Sequence, residues 1–350
     1  MKHVSAAIMQ DLAVRIFRAA GSSADEADTV AGHLVEASLM GHDSHGVIRI
    51  RKYIEWAKAG HVIPNQHATL AVDRGALLVV DGNFGFGQVI GKEAMQLAAD
   101  RAARLGMAAV AIRNAGHLGR IGAWPEMLAR RGFASVHFVN TSGFGILVAP
   151  HGGSDRRLSA NPIAAGVPVA GGDPLVLDIA TSAIAEGKIQ VARNKGEKLQ
   201  PGMVIDGKGQ PTDDPEAFYA EPPGAILPFG GHKGSGLSFF CEILAGSLSG
   251  GLASNPKSPT AGRLVNNMLS IAFDPEAFGG SEAFAHDVTQ LIGWTKTSPP
   301  AVPGGSVLLP GEIENRTRKE RQSSGLPIDD ETWKGIMIAA ESVGVEVPAP

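Results

Sequence analysis

Ala115-Gly-His-Leu-Gly-Arg-Ile-Gly-Ala-Trp124 decides how this chain is read. The stretch follows a short apolar run, Met107 to Ile112, and precedes residues compatible with a helix. Its one imidazole, His117, stands among Gly116, Gly119 and Gly122. Glycine lets a backbone approach a ligand closely and take positive φ. Histidine is the side chain best suited to moving a proton near neutral pH. A histidine in a glycine-crowded strand-to-helix turn points to small-molecule chemistry.

Outward from this turn, residues from about 69 to 140 alternate in texture. Strands are predicted at Ala76–Val80, Met107–Ile112 and Ala134–Val139, with helices at Gln88–Ala103 and Ile121–Arg130. That alternation argues for an α/β lobe. Two more strands are expected near Ala164–Val167 and Leu175–Ile179. Residues 5–59 read as helical, with apolar residues at helical spacing in Ile8-Leu12-Ile16 and Val30-Leu34-Ala37. Ser23 with Glu26 resembles a capping box. Leu237–Leu248 reads as a strongly apolar helix, and 296–310 as a Pro/Gly-rich arm leading to a last helical region, Ile328–Val343.

Composition narrows the function classes. The chain has 350 residues, enough for roughly two lobes at about 150 residues each. Its 44% hydrophobic and 19% charged residues suit a soluble globular protein, and the 45 glycines and 22 prolines are dispersed as turns. A net charge of −4 makes no electrostatic case for nucleic acid or an anionic membrane. The one cysteine, Cys241, excludes an internal disulfide and any cysteine-rich metal site, so a reducing compartment fits. Met1 to Ala20 carries Asp11 and Arg15 and has no apolar core of a signal peptide. No apolar run approaches the roughly 18 residues of a membrane span. A cytoplasmic location is expected.

One glycine run invites a false reading. Asp81-Gly-Asn-Phe-Gly-Phe-Gly-Gln-Val-Ile-Gly91 follows a strand, opens a helix and holds Gly85, Gly87 and Gly91. A Rossmann site also needs an acidic residue at the end of the next strand to hold the ribose. Arg113 and Asn114 stand there. The run reads better as a plain glycine turn.

Gly41-His-Asp-Ser-His-Gly-Val-Ile-Arg49 is the densest chemical cluster. If Ser44 caps a helix, His45 sits in its first turn, where the helix dipole lowers an imidazole pKa. Arg49 then shares the helical face of His45. A proton-transfer group beside a cation that can hold a carboxylate is what a 2-oxo or 2-hydroxy acid needs. The plainer reading is a capping serine and a surface histidine. His42 and His45 have no third ligand at suggestive spacing, so no metal is expected. Leu177-Asp-Ile-Ala-Thr-Ser182, taken alone, is more often a helix N-cap than a site. Phe229-Gly-Gly-His-Lys-Gly-Ser-Gly236 sets His232 and Lys233 among glycines before a helix. Backbone N–H groups there could hold phosphate, though the spacing is not that of a Walker loop. Pro310-Gly-Glu312 alone would be a turn.

Taken together, these motifs resemble one family. Gly-His-Asp-Ser-His-Gly (41–46), His-Leu-Gly-Arg-Ile-Gly (117–122), Val148-Ala-Pro-His-Gly-Gly153, Asn161-Pro-Ile163, Leu177–Ser182, Pro211-Thr212, His232-Lys-Gly234 and Leu309-Pro-Gly-Glu312 occur in order. They resemble the malate/L-lactate/ureidoglycolate dehydrogenases, the non-Rossmann, nicotinamide-dependent 2-hydroxyacid dehydrogenases. The hydroxycarboxylate dehydrogenase B type is nearest, through His-Asp-Ser-His-Gly, Gly-Arg-Ile-Gly and Ala-Thr-Ser-Ala-Ile-Ala (180–185). The resemblance spans roughly residues 10–340.

The resemblance implies a non-Rossmann α/β fold with an N-terminal helical segment and a discontinuous cofactor-binding domain. The expected parts are 1–70, with part of the substrate site; 71–295, the cofactor-binding core; and 296–350, packing back on the N-terminal segment. It implies NAD or NADP, with NAD favoured, a small 2-oxo or 2-hydroxy acid as substrate, and a homodimer. His45 would be the proton donor and also touch the cofactor, with His117 in the same pocket; Arg49, which fits the wider family better than the B type, is expected from its place beside His45 to hold the substrate carboxylate. Gly119, Arg120 and Ile121 would lie along the cofactor. So would Val176, Leu177, Asp178, Ile179 and Ala180, then His232 with Lys233, Asn266, and Gly311 with Glu312. Reduction of a cyclic imino acid, or nicotinamide binding without turnover, are the alternatives. Ser159-Ala160, Trp124 and Ser235 depart from the family's commoner residues, which bears on substrate identity more than on reaction class.

Overall fold

The computed structural model describes residues 2–255, 257 and 262–347. After a short strand, β1 (Lys2–Val4), come helices α1 (Ala6–Ala19), α2 (Ala24–Leu39) and α3 (Arg49–Lys58). Ser5 and Ser23 cap the first two, each hydroxyl accepting a backbone N–H one turn on. The capping box at Ser23 is relayed: Glu26 accepts from the Asn65 backbone N–H (2.8 Å), and Asn65 Oδ1 accepts from Ser23 N–H (2.7 Å).

A seven-stranded mixed sheet follows. Its strands include β2 (Thr69–Arg74), β3 (Leu77–Asp81), β4 (Met107–Ala115), β5 (Ala134–Ser142), β6 (Ile163–Val167) and β7 (Leu175–Ile179). The remaining strand, Val265–Phe273, enters the middle between β4 and β5. Only β3 and β4 pair in parallel, through the crossover helix α4 (Gly87–Leu105); the other pairs are antiparallel. The alternation seen in sequence therefore yields one parallel unit inside a largely antiparallel sheet. Val265–Phe273 escapes a periodicity reading because all of Val265–Ser270 is buried, two asparagines included. A strand covered on both faces has no in-out alternation to detect.

Three apolar cores hold these parts. Leu12, Phe17, Leu34, Ile50 and Tyr53 pack with Leu326 and Ile336 of the C-terminal segment. There the strand Leu326–Ile328 pairs with β1, and the helix Asp330–Glu341 lies against α3. Leu78, Val80, Ile90, Met95, Val110 and Ile112 bind α4 to the sheet. Val148, Ile189, Phe218 and Ile226 form a smaller core. Each large apolar side chain buried contributes about 1.5–3 kcal/mol.

The glycine turn 85–91 makes room for protein. A Cβ on Gly87 would lie 2.3 Å from the His117 carbonyl oxygen, and one on Gly91 2.6 Å from the Trp124 ring. Gly116 N–H donates to the Gly85 carbonyl (2.9 Å), so the backbone at 116–117 fills the cradle. Arg113 and Asn114, at the position where a Rossmann acid would stand, both donate to Asp81.

The apolar stretch at 237–248 also differs from a single α-helix. An α-helix, His232–Cys241, passes into a π-helical segment, Glu242–Ser247. Its inward face carries Gly234, Ser238, Cys241, Ala245 and Glu242, whose carboxylate accepts from Asn140, Asn161 and Ser254. Leu237, Phe239, Phe240, Ile243 and Leu248 face outward.

Candidate active site

His45 and His117 come from segments remote in the sequence and meet face to face. His45 closes a single 3-10 turn, Asp43–His45, and His117 lies in the loop after β4. Their rings stack with centroids 5.4 Å apart and planes at 22°. Each keeps part of its surface open. Ser44 Oγ lies 2.9 Å from His45 Nδ1, and Tyr53 Oη 2.7 Å from His117 Nδ1.

The helix expected to start at Ser44 starts at Arg49 instead. Ser44 therefore caps nothing and is left to meet His45. His45 also lies ahead of α3, so a helix dipole is not what lowers its pKa. Burial first, and then the neighbouring Arg49 charge, lower it to about 3. His117 is lowered well below its ordinary value by the same two causes. Both imidazoles are neutral in the free protein. Arg49 reaches them by folding back along the turn, with Nε donating to the Ser44 carbonyl (2.6 Å). Its two terminal NH2 groups have no partner among the described residues, which leaves a planar pair of donors facing the site.

Four of the residues expected along a cofactor share a narrow cleft. Arg120, Val176, Asp178 and Gly311 line it, with Glu126, Glu314 and Asn315. Gly119 (φ +74°) needs its missing side chain: a Cβ would lie 2.3 Å from His33 Nε2. His33 accepts the Arg120 backbone N–H (2.9 Å) and stacks on Trp124, which fixes this turn. Asp178 accepts the Gly122 N–H through Oδ2 (2.7 Å) and has a second oxygen in hand. Gly311 (φ +89°) presses on β7, where a Cβ would come 3.3 Å from Val176 N. Leu177 and Ile179 continue that strand, and Ala180 follows its end. His232 and Lys233 open the helix after Phe229, whose N–H donates to Thr181 just beyond Ala180. Backbone glycines, a carboxylate suited to a ribose hydroxyl and the exposed Lys233 form a donor and acceptor set that fits a dinucleotide.

Four expected contacts have other work. The Arg120 guanidinium is buried against Glu126 (2.6 Å), which lines the same cleft and offsets its charge. Ile121 lies in the sheet core. Glu312 accepts from Leu309 N–H and Lys296 and braces the C-terminal turn. Asn266 spends its whole amide on structure, accepting from Leu118 N–H (2.9 Å) and donating to the Asn140 carbonyl and Thr141 Oγ1.

Sequence reasoning missed Ser44's role beside His45, together with Tyr53, His33 and Gln88. Tyr53 stands one helical turn after Arg49 on α3, and that spacing could have found it. His33 and Gln88 enter from helices remote in sequence, with no local signal. Among the described residues, no three His, Cys, Asp or Glu side chains group as a metal site would require, and no helix is long and apolar enough to cross a membrane.

A mixed α/β fold carrying paired imidazoles beside a guanidinium is an arrangement suited to proton transfer on a small acid. The family model for malate/L-lactate dehydrogenase matches residues 4–337, and the chain belongs to that family. It is 43% identical over 334 residues to hydroxycarboxylate dehydrogenase B of Escherichia coli (strain K12), covering 94% of this chain and 91% of that one. It is similar in structure to the sulfolactate dehydrogenase from Methanocaldococcus jannaschii, with a TM-score of 0.90, 34% identity, and 99% and 98% of the two chains covered. A Pseudomonas syringae pv. tomato Delta(1)-pyrroline-2-carboxylate/Delta(1)-piperideine-2-carboxylate reductase is 38% identical over 289 residues, 81% of this chain and 82% of that one.

Proposed function

We propose that this chain is a dehydrogenase that interconverts a small 2-oxo acid and its 2-hydroxy acid using a nicotinamide cofactor. The observation that carries this reading is the stacked His45–His117 pair beside the unpartnered NH2 groups of Arg49. The cofactor, when bound, supplies or accepts the hydride at C2.

The chain's own residues account for the rest. Arg49 holds the substrate carboxylate through paired charge-assisted hydrogen bonds. That orients the C2 oxygen toward the two imidazoles. Burial holds both rings deprotonated first and the Arg49 charge second, and a carboxylate there offsets the second of these. Substrate binding therefore favours protonation of His45, which gives its proton to the C2 oxygen as negative charge develops. In the oxidising direction the same ring removes the hydroxyl proton. Asp178 and Glu314 on the cleft wall favour a free ribose hydroxyl over a phosphate, so NAD is the preferred cofactor.

A second reading has a specific basis in the imino acid reductase relative. There His45 would serve an amine nitrogen. The test offers a panel of 2-oxo acids and cyclic imino acids with NADH and with NADPH, following reduced-nicotinamide absorbance. Turnover of oxo acids, faster with NADH, is expected. Turnover of imino acids alone would install the second reading. Cofactor binding without any turnover would make the chain a nicotinamide-binding protein.

We further propose a homodimer in a reducing, cytoplasmic compartment, the latter in keeping with a lone buried thiol, Cys241. The outward apolar face of the helix beginning at His232 supports the dimer: Phe239 and Phe240 are 58% and 59% exposed. Sedimentation should give twice the 36.3 kDa chain mass, and Phe240→Glu should shift it toward a monomer. A parent protein sedimenting as one chain would remove the proposal.

A further inference from the structure

Gln88 lies in the first turn of α4, 1% exposed, and its amide faces the rear of His117. The amide nitrogen donates to the His117 carbonyl (3.1 Å) and to Tyr53 Oη (2.9 Å). A carbonyl oxygen only accepts, so it dictates which end of the amide turns toward it. Reversed, Gln88 would set Oε1 against that oxygen at the same short separation and leave both N–H groups unpaired. In the observed orientation only Oε1 lacks a partner.

We infer that Gln88 is a positioning residue that acts through Tyr53 to fix the His117 proton on Nε2. The inference rests on the dehydrogenase reading for its functional meaning, though not for its chemistry. Tyr53 Oη accepts from Gln88, and His117 Nδ1, 2.7 Å away, is the one acceptor among the described residues within reach of its buried hydrogen. Burial pushes the Tyr53 phenol up to about 12, so that hydrogen stays on the oxygen over the working pH range. The His117 ring is neutral and carries one proton. With Nδ1 accepting, the proton resides on Nε2.

The two stacked imidazoles thereby receive different tasks. His117 presents a fixed N–H donor to the C2 oxygen and stabilises the charge that develops there. His45, beside the rotatable Ser44 hydroxyl, is the ring that exchanges its proton. The opposite tautomer of His117 would aim a lone pair at the same oxygen and oppose the reaction.

The test is 15N NMR of the full chain labelled at histidine, with the His117 signals assigned by their loss in His117→Asn. Long-range proton–nitrogen correlations at neutral pH distinguish a protonated from an unprotonated ring nitrogen. The parent should show a protonated Nε2 and an unprotonated Nδ1. Gln88→Glu replaces the donor by an acceptor. It should draw the Tyr53 hydrogen to itself, move the His117 proton to Nδ1 and lower kcat by about 10²-fold, the effect of losing one such donor. Gln88→Met, which leaves Tyr53 with His117 as its sole partner, should keep the Nε2 proton and retain more activity than the Glu variant. A parent with its proton on Nδ1 overturns the inference without recourse to any variant. A folded Gln88→Glu protein that keeps the Nε2 proton overturns it as well. Nitrogen signals as expected without turnover of any oxo or imino acid would uphold the tautomer and discard the dehydrogenase reading.

Discussion

His45→Ala should lower kcat by about 10²–10⁴-fold while leaving the thermal melting curve close to that of the parent. The ring stands outside the apolar cores, and among the described residues its one side-chain hydrogen-bond partner is Ser44, itself on the same short turn. Little folding energy therefore goes with it. Removing it takes away the proton donor to the C2 oxygen, which His117 cannot replace while its Nδ1 is engaged by Tyr53. Steady-state kinetics on the best oxo acid, with circular dichroism melting as the folding control, decide the matter. Activity within a few-fold of the parent would remove His45 from the mechanism.

Arg49→Lys should reduce kcat/KM by about 10- to 100-fold, chiefly through a higher KM for the acid. A hydrogen bond between charged partners is worth about 1.5–3 kcal/mol, and each 1.4 kcal/mol is tenfold. Lysine keeps the charge but loses the planar pair of donors. It also loses the Nε–H that holds the Ser44 carbonyl at 2.6 Å, so the 3-10 turn carrying His45 loosens. Cofactor affinity measured by fluorescence titration should stay near the parental value. Unchanged kinetics for the acid would mean that its carboxylate is held elsewhere.

How far these residues were legible from sequence depends on whether their meaning is local. The Gly41–Arg49 cluster displays its chemistry within a few residues, and the missing acid at Arg113–Asn114 argued against the glycine run as a Rossmann site. The helices α1, α2 and α4 and the strands β3 to β7 follow from apolar periodicity and caps. The reading of Ser44 as a helix cap went astray because one extra 3-10 turn precedes α3. That turn frees the serine for His45. Val265–Phe273 stayed hidden since a fully buried strand carrying asparagines shows neither alternation nor an unbroken apolar run.

By itself the sequence determined the α/β composition, the reaction class suggested by motifs in series, and His45, Arg49 and His117 as a chemically capable set by residue type. The tertiary structure alone decided how those groups work. It stacked two imidazoles from remote segments, lowered both by burial beside Arg49, and brought Tyr53, Gln88 and His33 behind them. Proton placement and pKa depend on hydrogen-bond partners and desolvation, which are properties of packed neighbours. Side-chain identity and spacing are written along the chain, whereas those neighbours exist only once distant helices and strands have met.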